Sequence, residues 1–272
     1  MTTRSPQPGP PDRPGPPDLV VPERFRSTGG AAHCGWAAGA LARYLAPGAV
    51  AVDLRAVLPL DEPVQVRVDE RRDGADGGRA TAWDGDRLLM EATHWERPLE
   101  TLAPVDPALA RTAARAGVVP GPALHPVPVC FCCGCDRSAA DGLRIHPGHV
   151  PGSARGLVAT TWTPHASTGA TGASTATLPV TWAAIDCVGA WAGTLSDRLL
   201  VHQRLVVEVL DLPRLGEEHV VVAAVQGTLG DRVHTVAALH DVQGRLLARA
   251  EHLWRDVLHH DDHLLRAGAG PS

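Results

Sequence analysis

The feature that most constrains the fold is a diverged internal repeat within the 272-residue chain. Three pairs of similar stretches occur in the same order in both halves: 35–48 with 181–195, 60–68 with 215–223, and 84–95 with 242–254. The first pair shares Trp-Ala-Ala, and the third shares Arg-Leu-Leu. This period is far too long for a solenoid, so the repeat indicates a duplicated domain.

Each copy predicts one buried helix followed by several strands. The paired stretches 35–48 and 181–195 are rich in Ala, with Leu or Trp at helical spacing. Val- and Leu-rich runs follow, partly alternating with polar residues and separated by turn sequences such as WDGD and DVQG. Such runs are typical of antiparallel strands joined by hairpins. We therefore predict an α+β fold of two tandem units, each an antiparallel sheet wrapped around one central helix.

The repeat and the composition also predict segment boundaries. We expect a disordered Pro-rich tail at 1–20, a first unit at 21–99, a linker at 100–129, a second unit at 130–257 and a tail at 258–272. The first tail and the linker are assigned from their many prolines. Within the linker, 107–116 predicts one short helix.

Charge and hydropathy exclude several classes of function. The net charge of −5 argues against a nucleic-acid-binding surface. No apolar run reaches the roughly 18 residues of a membrane span, and the N-terminus lacks the apolar stretch of a signal peptide. We therefore expect a cytoplasmic protein, in which clustered cysteines stay reduced.

The second half resembles the hotdog-fold acyl-CoA thioesterase superfamily, in its double-hotdog (tandem) form. The stretch CFCCG at 130–134, followed by GLRI at 142–145, is similar to the opening of such units. A strand ending in Trp at 157–164 and an acid-bearing helix at 178–192 follow in the family's order. The family often has His-Gly-Gly at the start of this helix, whereas 177–179 here reads Thr-Leu-Pro.

This resemblance implies hydrolysis of acyl thioesters of coenzyme A or of an acyl-carrier protein. It implies no cofactor, and it allows homo-oligomers of double-hotdog chains. Two alternatives stay open. One is an enoyl-thioester hydratase or dehydratase, in which Asp186 would pair with His33. The other is a protein that binds acyl ligands without turnover, since the first copy is degenerate and His-Gly-Gly is missing.

Asp186 is the candidate catalytic acid, because a carboxylate can activate water or attack a thioester directly. It lies in an apolar helix, where an Asp that bonds nearby backbone is the structural alternative. In a continuous helix it would lie roughly 10 Å from its own N-terminus. We therefore expect the oxyanion donors on the first helix, at Cys34 and Gly35, and one composite active site between the two units.

Other candidates surround the start of the first helix. Gly30 would allow close backbone approach. His33 would orient substrate or assist proton transfer, or simply bond to backbone. Trp36 and Trp182 would line the acyl pocket or belong to the core.

The reciprocal site is expected to be inactive. Ala40 takes the position of Asp186 in the first copy. Pro179, near the start of the second helix, has no N–H to donate.

The run CFCCGC at 130–135 holds four of the six cysteines. Four thiols so close in sequence cannot easily surround one ion, so we predict no metal and interpret the run as a turn that opens the second unit. The alternative is zinc bound by two of these cysteines together with His125, His146 or His149.

Overall fold

The computed structural model describes residues 17–27, 29–69, 78–117, 125–153, 156–195 and 198–257. Its strands are β1 Leu19–Val20, β2 Val50–Leu54, β3 Pro63–Asp69, β4 Arg79–Asp84, β5 Arg87–His94, β6 Gly148–His149, β7 Val158–Trp162, β8 Leu200–Val209, β9 His219–Leu229, β10 Arg232–Asp241 and β11 Leu246–Asp256. Its α-helices are α1 Cys34–Ala42, α2 Pro107–Ala116, α3 Leu178–Ala184 and α4 Cys187–Ala192. The expected tail at 258–272 lies outside the described residues, whereas β1 begins within the expected tail at 1–20.

All eleven strands form one antiparallel sheet in the order β1-β3-β4-β5-β2-β8-β11-β10-β9-β7-β6. The first copy supplies β1 to β5, and the second supplies β6 to β11. The copies join where β2 pairs with β8, with Val50 opposite Val207 and Asp53 opposite Arg204. The repeated stretches fall on equivalent elements of the two halves, which confirms the predicted α+β fold of two tandem units.

The central helices α1 and α3 pack directly against each other inside the sheet. Gly39 allows this close approach, because a Cβ at this residue would lie 2.7 Å from Trp182 Cγ and 2.9 Å from Pro179 Cα. Trp182 and most of α1 are buried in the main hydrophobic core. The crossing of the two helices therefore lies in the interior of the molecule.

The second central helix is not continuous, contrary to the prediction for 178–192. It breaks at Ile185 and Asp186 into α3 and α4. The carbonyl of Ile185 contacts His252 Nε2 at 3.1 Å, which gives this oxygen a partner outside the helix. On α4, a Cβ at Gly189 would lie 2.7 Å from Thr235 Oγ1. The break thus lets α4 lie close against β9 and β10.

The expected helix at 107–116 is confirmed as α2. Asp106 caps it, since its Oδ1 accepts the N–H groups of Ala108 and Leu109, and Pro107 occupies the first turn. The helix packs against β6 and β7, so this part of the expected linker covers the sheet. Within the described ranges, no helix combines the length and apolar character needed to cross a membrane.

Candidate active site

Asp186 lies at the break between α3 and α4, with 2% of its surface exposed. Its Oδ2 accepts the N–H of Gly35 at 2.8 Å. Gly35 is required for this contact, because a Cβ at that residue would lie 2.6 Å from Asp186 Cβ. A carboxylate of the second unit is therefore placed at the N-terminus of the central helix of the first unit, where the helix dipole favours negative charge.

Two histidines complete the surroundings of this carboxylate. His202 Nε2 donates to Asp186 Oδ1, and His33 Nδ1 lies 3.6 Å from Oδ2. Burial alone would raise the pKa of the Asp186 carboxyl, but the charge and hydrogen bond of His202, together with nearby His33, hold that pKa below its ordinary value. The site thus favours an ionised Asp186.

His202 is a site residue that the sequence analysis missed. It lies on β8, where the pairing with β11 shifts between Leu253 and Trp254. This β-bulge lets His202 and Leu205 both face the interior, although they are three residues apart. The one sequence signal was the histidine itself within the strand, and strict alternation places it on the wrong face.

Three buried side chains linked by polar contacts lie next to the helix break. His252 contacts Thr235 Oγ1 through Nδ1 at 3.2 Å and the Ile185 carbonyl through Nε2 at 3.1 Å. Trp254 Nε1 donates to the same Thr235 oxygen at 2.8 Å. Burial lowers the pKa of His252 to about 4, so this ring is neutral near neutral pH.

The first turn of α1 donates to side chains of the site. Gly35 N–H bonds to Asp186, and Trp36 N–H donates to His33 Nδ1 at 3.3 Å. Burial raises the pKa of the partly exposed Cys34 thiol to about 12, so it remains protonated. Gly30 lies in an exposed turn with φ of +78°, unlike the buried residues around Asp186.

The remaining sequence candidates lie in the interior around the two helices. Trp36 stacks on Phe25 with 4.2 Å between ring centroids, and Trp182 packs over Gly39. Ala40, at the position equivalent to Asp186, is buried in α1. Both tryptophans are buried beside the helix crossing.

The cysteine run contacts Cys187, which follows Asp186 in the chain. Cys187 Sγ lies 3.3 Å from His33 Nε2 and 3.7 Å from Cys130 Sγ. Among the residues that the structure describes, two overlapping groups could hold a metal ion, each with ligand atoms within 4.8 Å of one another: His33, Cys132 and Cys187, and Cys130, Cys133 and Cys187. The spacing in sequence did not indicate this cluster, because Cys187 and His33 come from distant segments.

The three histidines considered as zinc partners lie elsewhere. His125 Nε2 contacts the Cys133 carbonyl at 3.0 Å rather than a thiol. His149 is exposed on β6, and His146 has a buried Nε2 without a hydrogen-bond partner among the described residues.

Access to Asp186 is closed in this conformation. A shallow groove of about 620 Å³ is lined by β9, β10 and the segment after β5, including Glu100, Gln226 and His234. Neither Asp186 nor His33 lines it. Cys34 and Cys187, which adjoin Gly35 and Asp186 in the chain, are both partly exposed.

Comparison of the sequence with known proteins gives no match, either to a family model or to a curated protein. The fold does match solved structures. Acyl-CoA thioesterase II TesB2 from Mycobacterium marinum is 12% identical, with a TM-score of 0.53 over 87% of this chain and 91% of that one. A hot dog fold protein of unknown function from Alicyclobacillus acidocaldarius is 14% identical, with a TM-score of 0.58 over 87% and 90%.

A third similar structure is the dehydratase domain of PpsC from Mycobacterium tuberculosis, in complex with C12:1-CoA. It is 17% identical, with a TM-score of 0.54 over 88% of this chain and 90% of that one. These likenesses extend along nearly the whole chain and establish a double hotdog. Since one fold hosts different reactions, the reaction must be argued from the site.

Proposed function

We propose that this double-hotdog protein is a thioesterase that hydrolyses acyl thioesters of coenzyme A or of an acyl-carrier protein, at one composite site between its two units. One observation carries the proposal: the Asp186 carboxylate of one unit faces the first turn of α1 in the other, 2.8 Å from the Gly35 N–H. A carboxylate and helix N-terminal donors in one place are the two elements that thioester hydrolysis needs.

In this proposal Asp186 acts as general base or nucleophile. As base, it takes a proton from a water molecule while the oxygen of that water adds to the thioester carbon. The N–H groups of Cys34 and Gly35 stabilise the oxyanion. The carbon–sulfur bond then breaks, and the departing thiolate takes up the proton. Gly35 N–H must first exchange Asp186 for the substrate oxygen, which requires the carboxylate to turn.

The histidines hold the carboxylate for this role. His202 bonds to Oδ1, and His33 lies beside Oδ2. The acyl chain would enter past Cys34 and Cys187, where it meets Trp36 and Trp182. A side-chain or helix movement must open this route, because the carboxylate is closed off from solvent.

The test is release of free coenzyme A from acyl-CoA esters of increasing chain length. The release is measured by chromatography, because the protein's own thiols would react with thiol reagents. Asp186→Asn should lower turnover about 10²-fold or more, as for loss of a positioned base. Asp211→Asn, an exposed acid paired with Arg245, is the matched control and should keep wild-type turnover. Unchanged turnover in folded Asp186→Asn would refute the assignment.

One observation favours a second candidate, an enoyl-thioester hydratase. His33 Nδ1 and Asp186 Oδ2 approach to 3.6 Å across the two units, as an acid–base pair for addition of water would require. Hydration of crotonyl-CoA, measured beside hydrolysis, separates the two reactions. Tight acyl-CoA binding with neither reaction would instead indicate a binding protein.

A further inference from the structure

We propose that the protein binds one Zn²⁺ ion through the thiolates of Cys130, Cys133 and Cys187 and through His33 Nε2, where the two hotdog units meet. The ion would not contact the thioester, but the metal site adjoins the proposed active site, because Cys187 lies on the proposed entry route and His33 lies beside Asp186.

Two of the six distances between the four ligand atoms already match tetrahedral spacing. Bonds of about 2.3 Å to sulfur and about 2.0 Å to nitrogen give tetrahedron edges of about 3.7 Å between sulfurs and about 3.5 Å from sulfur to nitrogen. Cys130 Sγ and Cys187 Sγ are 3.7 Å apart, and His33 Nε2 lies 3.3 Å from Cys187 Sγ. Cys133 joins the two other thiols within 4.8 Å, whereas His33 belongs to the group with Cys132 and Cys187. Side-chain rotations must therefore bring His33 Nε2 toward Cys130 and Cys133 to complete the set.

The turn that carries Cys130 and Cys133 is built to bring both thiols to one side. Gly134 N–H donates to the Cys130 carbonyl at 2.9 Å. A Cβ at Gly134 would lie 2.4 Å from that same oxygen and 2.6 Å from the Pro128 carbonyl, so no other residue fits the turn. A tight Cys-x-x-Cys turn is the usual chelating unit of structural zinc sites.

Charge favours His33 over Cys132 as the fourth ligand. Zinc with three thiolates and a neutral imidazole carries a net charge of about −1, whereas four thiolates give about −2, which is costlier to bury. Arg137, which also forms an ion pair with Asp141 at 2.8 Å, supplies positive charge near the turn. Its side chain is 4% exposed, and its Nε donates to the carbonyl of Val129, next to Cys130.

Asp186 would hold the histidine ligand. The Nε2 side of the His33 ring faces Cys187, and Nδ1 lies 3.6 Å from Asp186 Oδ2. A metal-bound histidine characteristically donates its other ring N–H to a carboxylate, which fixes the ring and its tautomer. With zinc bound, Nδ1 would carry the proton and face Asp186, and the Trp36 N–H would lose the acceptor that it has in the metal-free protein. When Zn²⁺ replaces the three thiol protons, these protons leave to solvent and the imidazole binds neutral, so the reaction needs no oxidant or reductant.

The first test measures metal on the full-length protein, purified under reducing conditions without a metal-affinity step. Stripped protein is titrated with Zn²⁺ against a chromophoric chelator, and with Co²⁺ in the absence of competitor. We expect about one Zn²⁺ per chain and visible cobalt bands typical of tetrahedral thiolate ligation. Absence of stoichiometric binding, or a Cys130–Cys187 disulfide that forms in its place, would overturn the proposal.

Variants then test the ligand set, with circular dichroism as the check on folding. Cys133→Ser and Cys187→Ser should lose stoichiometric zinc. Cys135→Ser is the matched control, since Cys135 belongs to the same run but to neither ligand group, and it should keep zinc. Zinc loss in Cys132→Ser but not in His33→Asn would overturn the assignment of the fourth ligand.

Metal content and turnover separate this proposal from the proposed function. Asp186→Asn should weaken zinc binding about 10–100-fold without abolishing it. Stoichiometric zinc in a protein that hydrolyses no acyl-CoA would support the metal site and count against the thioesterase alone. Hydrolysis by a wild-type protein that binds no zinc would support the thioesterase and count against the metal site.

Discussion

The central helices of the two units differ more than their sequences indicate. In the first unit, α1 runs unbroken from Cys34 to Ala42 and presents its first turn to the interior. In the second, the corresponding helix breaks at Asp186 and turns a carboxylate toward that same turn. One copy therefore supplies hydrogen-bond donors and the other supplies the charge.

This difference explains how a duplicated fold can hold one carboxylate–helix contact instead of two. Ala40 takes the place of the acid in the first unit, and Pro179 removes a donor from the start of α3. The first helix therefore has no acid at this position, and the second lacks one backbone N–H in its first turn. The two helices meet at Asp186 and Gly35, so both helices are needed for the charged interior contact.

Removing the acid should have the largest effect on the contact between the two helices. Asp186→Ala leaves His202 and the Gly35 N–H without their buried partner, and it should lower the free energy of unfolding by about 3–5 kcal/mol. Urea unfolding at neutral pH measures this loss. Asp211→Ala, an exposed ion-pair member, should cost less than about 1 kcal/mol. Equal costs for the two variants would show that Asp186 is not paired as described.

The second prediction tests the helix break through His252. The folded protein binds a proton on His252 only near pH 4, because burial lowers its pKa, whereas the unfolded chain binds it near pH 6.5. Acidification through this window therefore favours unfolding by up to about 3 kcal/mol. His252→Gln should lose less stability than wild type between pH 7 and pH 4.

The other buried groups near His252 remain in both proteins. The difference between the two pH profiles therefore isolates His252. His234→Gln, at an exposed position of β10, is the control and should follow the wild-type profile. Parallel profiles for His252→Gln and wild type would contradict a neutral buried ring behind the break.

The third prediction concerns the partner helix. Gly35→Ala should destabilise the protein by about 2 kcal/mol, since the added methyl group overlaps Asp186 and forces the two helix ends apart. Thermal unfolding compares it with Gly227→Ala on β9, where a Cβ meets nothing within 4 Å. A Gly35→Ala protein as stable as the control would mean that the helix ends move apart freely.

The smallest effect is expected at the joint between the two halves of the sheet. Arg204 donates to both carboxylate oxygens of Asp53, at 2.7 and 2.9 Å. Because the Arg204 side chain is 41% exposed, solvent screens this pair, and Asp53→Asn should cost at most about 1 kcal/mol. A double-mutant cycle with Arg204→Gln measures the coupling. A coupling well above that value would make this pair, rather than the helices, the main link between units.

Much of the fold could be predicted because it follows from local patterns. The helix at 107–116, the start of α1 and the hairpin strands all come from composition, capping residues and alternation, which act over a few residues. The break at Asp186 could not be predicted, because it depends on His252 and Thr235, which lie on strands far along the chain. His202 was missed for a related reason, since a bulge in β8 changes the face on which it lies.

The sequence alone was enough to predict two similar units in tandem, each with a helix and an antiparallel sheet. It also predicted that Asp186, His33 and Gly35 belong to a common region. Only the tertiary structure decided their contacts. It placed His202 on the carboxylate, and it brought Cys187 and His33 to the cysteine run at 130–133. The physical reason is that periodicity fixes the face of a residue within its own element, whereas a site forms where distant elements pack together.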